Sequence, residues 1–222
     1  MKIKKKLSFI LIVFFFFEFT SSSLAASYYK DSTSQEATAQ VSVGKAETTS
    51  SNDLIKIGED LKDVFEKCGY AYQSDCVINA LKTKGYTDQQ VSSYRTRIGN
   101  AQADCGNGGY GVPCLGFVAI IGAIVSGDTN SFGGNANDYY SKQSISFGSY
   151  TYKRLNPKDP IIAGDIGASA MGSYGHILIV KSVDQASDYF IGLESNANGN
   201  CRVTDDIPRP IDRDLYAFFR KQ

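Results

Sequence analysis

Pro113-Cys114-Leu115-Gly116-Phe117-Val118-Ala119-Ile120-Ile121-Gly122-Ala123-Ile124-Val125 sets the architecture of this chain. Thirteen residues contain no charge, and proline opens the run, where a helix tolerates it best. The stretch therefore reads as a helix with Pro113 and Cys114 at its first positions. Phe117, Ile121, Ile124 and Val125 form its buried face, and Gly116 and Gly122 admit other backbone at short range. A helix that is apolar on most sides lies inside a fold, so this one is a core element.

Downstream of it the texture becomes strand-like. Ile161-Ile162, Asp165-Ile166, residues 176–183, residues 189–194 and residues 215–219 are short apolar segments punctuated by Gly, Pro, Asn and Asp. A helical core element followed by antiparallel strands gives an α+β fold. Upstream, Leu54, Ile57, Leu61, Val64 and Phe65 recur at helical spacing, and Val77, Ile78 and Leu81 continue it. Gly85-Tyr86-Thr87-Asp88 combines a helix stop with a new cap, and Gln90 to Arg97 is a third short helix. Residues 54–100 thus form a small helical segment, and residues 101–222 the main domain.

The remaining N-terminal part has two textures. Lys2, Lys4, Lys5 and Lys6 precede an apolar core over residues 7–17, and Ser23-Leu24-Ala25-Ala26 offers small residues for cleavage. That core is shorter than the roughly 20 residues a helix needs to cross a bilayer. Residues 1–25 read as a signal peptide, which implies a secreted, periplasmic or cell-envelope protein with no transmembrane segment once it is cleaved. Residues 26–53 are rich in Ser, Thr, Gln and Ala, with too little apolar surface to offset ordering, and read as a disordered tether.

Charge narrows the partners. The 23 basic and 23 acidic residues balance, and removing residues 1–25 leaves 19 and 22. No basic stripe points to nucleic acid or to an anionic membrane surface. Metal binding is a poor fit, because the chain has one histidine and no CxxC pair. No cofactor is implied.

Five cysteines, Cys68, Cys76, Cys105, Cys114 and Cys201, leave one over after pairing in an exported protein. The odd one is unpaired, intermolecular or a reactive thiol. Cys114 has the address of a reactive thiol. At the start of a buried helix the dipole and unpaired amides favour a thiolate, and the same amides can receive an oxyanion. The other four lie late in a helix, in a polar connection, or in Gly/Asn-rich loops.

A thiol nucleophile needs a base, and His176 in Gly175-His176-Ile177-Leu178-Ile179-Val180 is the chain's one imidazole. Alternation puts His176, Leu178 and Val180 on one face of that strand, the face expected under the Cys114 helix. The ring also needs a group on its other nitrogen to fix tautomer and orientation. The following strand ends in Glu194-Ser195-Asn196, and Glu194 and Asn196 share a face, so either can serve.

These residues resemble a known family. Cys114-Leu115-Gly116-Phe117-Val118, Gly134-Asn135-Ala136-Asn137-Asp138-Tyr139, Gly164-Asp165-Ile166, Gly175-His176-Ile177-Leu178-Ile179-Val180 and Glu194-Ser195-Asn196 stand in the order seen in CHAP domains, the cysteine, histidine-dependent amidohydrolases/peptidases. Tyr216-Ala217-Phe218-Phe219-Arg220 looks like the closing strand of that domain. The resemblance covers about residues 101–222. It implies a papain-like fold that cleaves amide or peptide bonds, usually in peptidoglycan. By position, Cys114 would be the nucleophile, His176 the general base and then acid, and Glu194 and Asn196 the pair that orients His176. An NlpC-type endopeptidase shares the fold and the Cys–His pair. A third reading is a binding module of the same fold that has lost turnover, with Cys114 in a disulfide. Of the three pairings open to the other four cysteines, we favour Cys68 with Cys76, a short local loop, and Cys105 with Cys201, which would brace the glycine-rich loop before Cys114.

Overall fold

The computed structural model describes residues 51–100, 112–129, 133–147 and 150–222. The signal-peptide segment 1–25, nearly all of the tether and Cys105 lie outside them. Three helices come first: α1 (Ser51–Lys67), α2 (Asp75–Thr83) and α3 (Asp88–Asn100). The turn between α2 and α3 closes on a reciprocal cap, in which Thr87 N–H donates to Gln90 Oε1 (3.0 Å) and Gln90 N–H to Thr87 Oγ1 (3.2 Å). Cys68 and Cys76 form a disulfide that ties the end of α1 to α2.

The apolar run forms α4 (Cys114–Ser126), with Pro113 as its N-cap residue rather than inside it. Residues 116–124 are buried without interruption, because neighbours cover every side of the helix. A short helix α5 (Asn137–Tyr140) follows, and then seven strands: β1 (Ser144–Phe147), β2 (Tyr150–Arg154), β3 (Ile166–Ser169), β4 (His176–Asp184), β5 (Tyr189–Ser195), β6 (Val203–Pro210) and β7 (Tyr216–Lys221). They make one sheet in the order β1-β2-β7-β3-β4-β5-β6, antiparallel throughout. The fold is α+β, with a buried helix carrying a cysteine at its start packed on an antiparallel sheet.

The helical segment and the sheet share one core. Leu54, Leu61 and Phe65 of α1 join Phe117 and Ile121 of α4 and Ile177, Ile179 and Leu193 of the sheet in a single apolar cluster. Contact is close at Gly58, where a Cβ would lie 2.3 Å from the Leu193 side chain. Around that contact, Lys181 pairs with Glu59 (2.9 Å) and Asp205 (2.6 Å), which stitches α1 to β4 and β6. Ion pairs as exposed as these add little stability, so apolar burial holds the layers together.

Three strand expectations need correction. Ile161 and Ile162 form no strand; Ile161 instead caps a second apolar cluster on the far side of the sheet. β1, β2 and β6 lie outside the expected strands; in β6, Pro208, Pro210 and its charges break the apolar signal, yet proline and charge are normal on an edge strand. The helix also lies on the other face from the one alternation suggested. Ile177 and Ile179 pack in the α4 cluster, whereas Leu178 and Val180 pack with Phe190, Tyr216 and Phe218 behind the sheet. His176 meets the helix nonetheless, because it is the first residue of β4 and stands at the rim of the sheet.

Candidate active site

The site forms where three elements begin or end: the start of α4, the start of β4 and the end of β5. Cys114 is a free thiol in the first position of α4. The first turn has no side-chain cap and no acidic residue, and its first ladder bond runs from Phe117 N–H to Pro113 O. The amides of residues 114–116 are thus left outside the ladder. The amides of Leu115 and Ile177 and the His176 ring lie near enough to the Cys114 sulfur to favour its thiolate.

His176 Nε2 is hydrogen-bonded to Glu194 Oε2, which leaves Nδ1 for the sulfur. Glu194 is 0% exposed and receives a fork from Arg209 of β6, Nε to Oε1 at 2.7 Å and Nη2 to Oε2 at 2.6 Å. Space for that carboxylate comes from Gly192, where a Cβ would sit 2.9 Å from Glu194 Oε1.

These contacts bias the protonation of all three groups. Burial works to raise the Cys114 thiol, but the hydrogen bond and charge of His176 and the two amides outweigh it and bring it below its ordinary value. Burial works to lower His176, yet its bonds to Cys114 and Glu194 prevail and push it up to about 9. For Glu194, burial is outweighed by His176 and Arg209, which hold the carboxyl below its usual range. Each contact thus favours the charged form of its group: thiolate at Cys114, imidazolium at His176 and carboxylate at Glu194.

The Glu194-Ser195-Asn196 step divides into three separate jobs. Glu194 alone faces His176. Ser195, wholly buried, donates its hydroxyl to Val112 O, two residues before Cys114. Asn196 does not orient His176. It has left-handed backbone (φ 61°), which ends the strand alternation, and its Oδ1 accepts from Cys201 N–H at 3.0 Å. Cys201 O in turn accepts from Val112 N–H at 3.1 Å, so the loop after β5 clamps the approach to α4 from both sides. Cys201 is disulfide-bonded; its expected partner, Cys105, lies outside the described residues.

The other quoted motifs act as scaffolding. Asn137 N–H donates to Tyr174 O (3.0 Å) and Asn137 Nδ2 to Ser173 O (3.3 Å), so α5 pins the turn before His176. Gly175 is obligatory there. Its φ is +72°, and a Cβ would lie 2.3 Å from Asn137 N and 2.5 Å from Ser169 O. Gly175→Ala should cost more than the about 1–2 kcal/mol of left-handed backbone alone and displace the ring. Thermal melts and activity assays check this; an unchanged melting temperature with wild-type activity would contradict the packing. Asp165 of Gly164-Asp165-Ile166 is paired with Arg220 (2.7 Å) and takes no part in the Cys114–His176–Glu194 cluster.

Arg209 and Ser195 escaped the sequence reading. Ser195 was visible between two candidates but silent as to partner. Arg209 sits in the strand that proline disguised. Among the described residues, no group of three or more His, Cys, Asp or Glu could hold a metal ion, and no helix is long and apolar enough to cross a membrane.

No protein-family model matches the chain, and no curated protein does. Solved structures do match. One is the crystal structure of Ly7917, at 17% identity and TM-score 0.39, covering 60% of this chain and 60% of that one. Another is the wild-type endolysin LysIME-EF1, at 19% identity and TM-score 0.39, covering 59% and 63%. The chain thus spans about three fifths of the length of each.

Proposed function

We propose that this chain is an exported thiol hydrolase that cleaves amide or peptide bonds, with peptidoglycan stems or cross-bridges as the substrate class. The observation that carries the reading is a free Cys114 at a helix start beside the only histidine, which is hydrogen-bonded in turn to a buried carboxylate. The choice of peptidoglycan rests on the CHAP resemblance, and export rests on residues 1–25. Cys114 being free speaks against a binding module with that sulfur in a disulfide.

The chemistry follows from the arrangement. The Cys114 thiolate attacks the scissile carbonyl, and amides of the first turn of α4 that lie outside the helical ladder receive the oxyanion. His176 gives its Nδ1 proton to the leaving amine nitrogen as the C–N bond breaks, leaving a thioester. Neutral His176 then takes a proton from water, the hydroxide adds to the thioester, and loss of the thiolate restores the pair. Pro113 has no N–H to contribute, so the Cys114 or Leu115 amide takes that part. Exposed Met171 and Tyr174, on the turn before His176, offer the substrate an apolar edge.

Digestion of purified peptidoglycan tests the proposal. New amino termini without new reducing sugar ends are expected, and fragment masses distinguish an amidase from an NlpC-type endopeptidase. The rate profile should be bell-shaped. Activity falls in acid as the Cys114 thiolate is protonated, below the ordinary thiol range, and falls again near pH 9 as His176 loses the proton it donates. No amide cleavage of any wall fraction would sink the reading.

A further inference from the structure

Two cationic groups converge on a single carboxylate oxygen. Glu194 Oε2 is hydrogen-bonded both to His176 Nε2 and to Arg209 Nη2, while Arg209 Nε holds Oε1. In register, Arg209 stands opposite Phe190, and on that face of β5 only Gly192 stands between Phe190 and Glu194. A Cβ at 192 would lie 2.9 Å from Glu194 Oε1, so Gly192 leaves room for the carboxylate that the guanidinium reaches. Its third nitrogen, Nη1, reaches Tyr216 OH at 3.3 Å, so all three nitrogens have partners.

We infer that Arg209 is a positioning residue for the Cys114–His176 pair: its fork fixes the plane of the Glu194 carboxylate and shares Oε2 with His176, so that Glu194 orients the imidazole without trapping its proton. The inference rests on the thiol-hydrolase reading of the same site. A carboxylate facing imidazolium alone in a buried place would hold the proton strongly, and the proton must pass to the leaving amine. A planar fork on the far side draws off part of that hold and prevents rotation of the carboxylate.

The groups that face this carboxylate come from every neighbouring element. They are His176 of β4, Arg209 of β6, Tyr216 of β7 and Cys114 of α4 through His176, with Asp212 acting on Tyr216. Burial keeps the Tyr216 phenol protonated well past neutrality, so Arg209 supplies the charge that balances Glu194. Removing that positive charge must make both the imidazolium and the thiol harder to deprotonate, because each then sits in a more negative surround.

Two of the experiment's three readouts need no substrate. The lone histidine gives one imidazole C2–H signal for titration by NMR, and iodoacetamide alkylation of Cys114, mapped by mass spectrometry, reports its thiolate. In Arg209→Met both midpoints should rise by about one pH unit. In Arg209→Lys, which keeps the charge and loses the fork, both midpoints should stay near wild type while kcat on a soluble amide substrate falls about tenfold or more at unchanged KM. A folded Arg209→Met with both midpoints unmoved would overturn the inference. If Arg209→Met does not fold, Arg209→Lys decides, since full kcat there would leave no role for the fork. A wild type with no amidase activity on any wall would defeat the proposed function instead, leaving the two titrations as a separate test of the coupling.

Discussion

Cys114→Ala is expected to abolish amide hydrolysis while leaving the protein folded. The substitution removes one sulfur from a residue that sits in no disulfide, at the rim of the core. With no thiolate there is no thioester, and the remaining groups can only polarise water, so turnover should fall to background. The alanine variant also carries an internal control. His176 is held up to about 9 by two partners, and the substitution deletes one of them. Its titration should move below that value, read from the single imidazole signal of a chain with one histidine. Undiminished wall digestion would remove Cys114 from the chemistry, and an unmoved histidine titration would remove it from contact with His176.

Glu194→Gln should damage both stability and activity heavily. The neutral amide leaves Arg209 mostly buried without its counter-charge, and one end of the amide presents N–H groups to donors on His176 or Arg209. Removing one partner of a buried pair typically costs about 3–5 kcal/mol. Because the Arg209 side chain keeps some exposure to water, a value near the lower end is expected. The loss depends on pH with a definite sign. Glu194 titrates lower in the folded chain than in the unfolded one, so its contribution is present above the unfolded value and disappears as pH falls through the folded value. Wild type and variant should therefore converge in stability in strong acid and differ most near neutrality. At neutral pH a loosened imidazole should lower kcat by about a hundredfold or more. Denaturant melts across pH check the first statement and steady-state rates the second; equal stability at pH 7 would mean that the Glu194–Arg209–His176 contacts do not hold in solution.

Glu194 also marks the limit of sequence reasoning at this site. Period-2 alternation gave Glu194 and Asn196 equal standing, because the rule assumes that the strand continues. The strand ends at Ser195, and Asn196 turns into left-handed backbone to serve the loop at Cys201. The same rule placed His176 with Leu178 and Val180 correctly but could not say which face the helix covers. Both faces of β4 are apolar and buried, so the pattern carries no sign of which layer lies where.

The sequence by itself determined the buried helix with a cysteine at its start, the uniqueness of the histidine, the odd thiol count and the α+β order of elements. These follow from local properties: uninterrupted apolarity, proline and glycine punctuation, and arithmetic. Only the tertiary structure decided that Glu194 rather than Asn196 faces His176, that Ser195 holds the approach to α4, that α1 packs in the same core as α4, and that Arg209 forks onto Glu194. Each of those depends on a partner distant along the chain. A hydrogen bond between β5 and β6, or between β5 and residue 112, is fixed by register and layer order, and neither is written in the residues at one end of the bond.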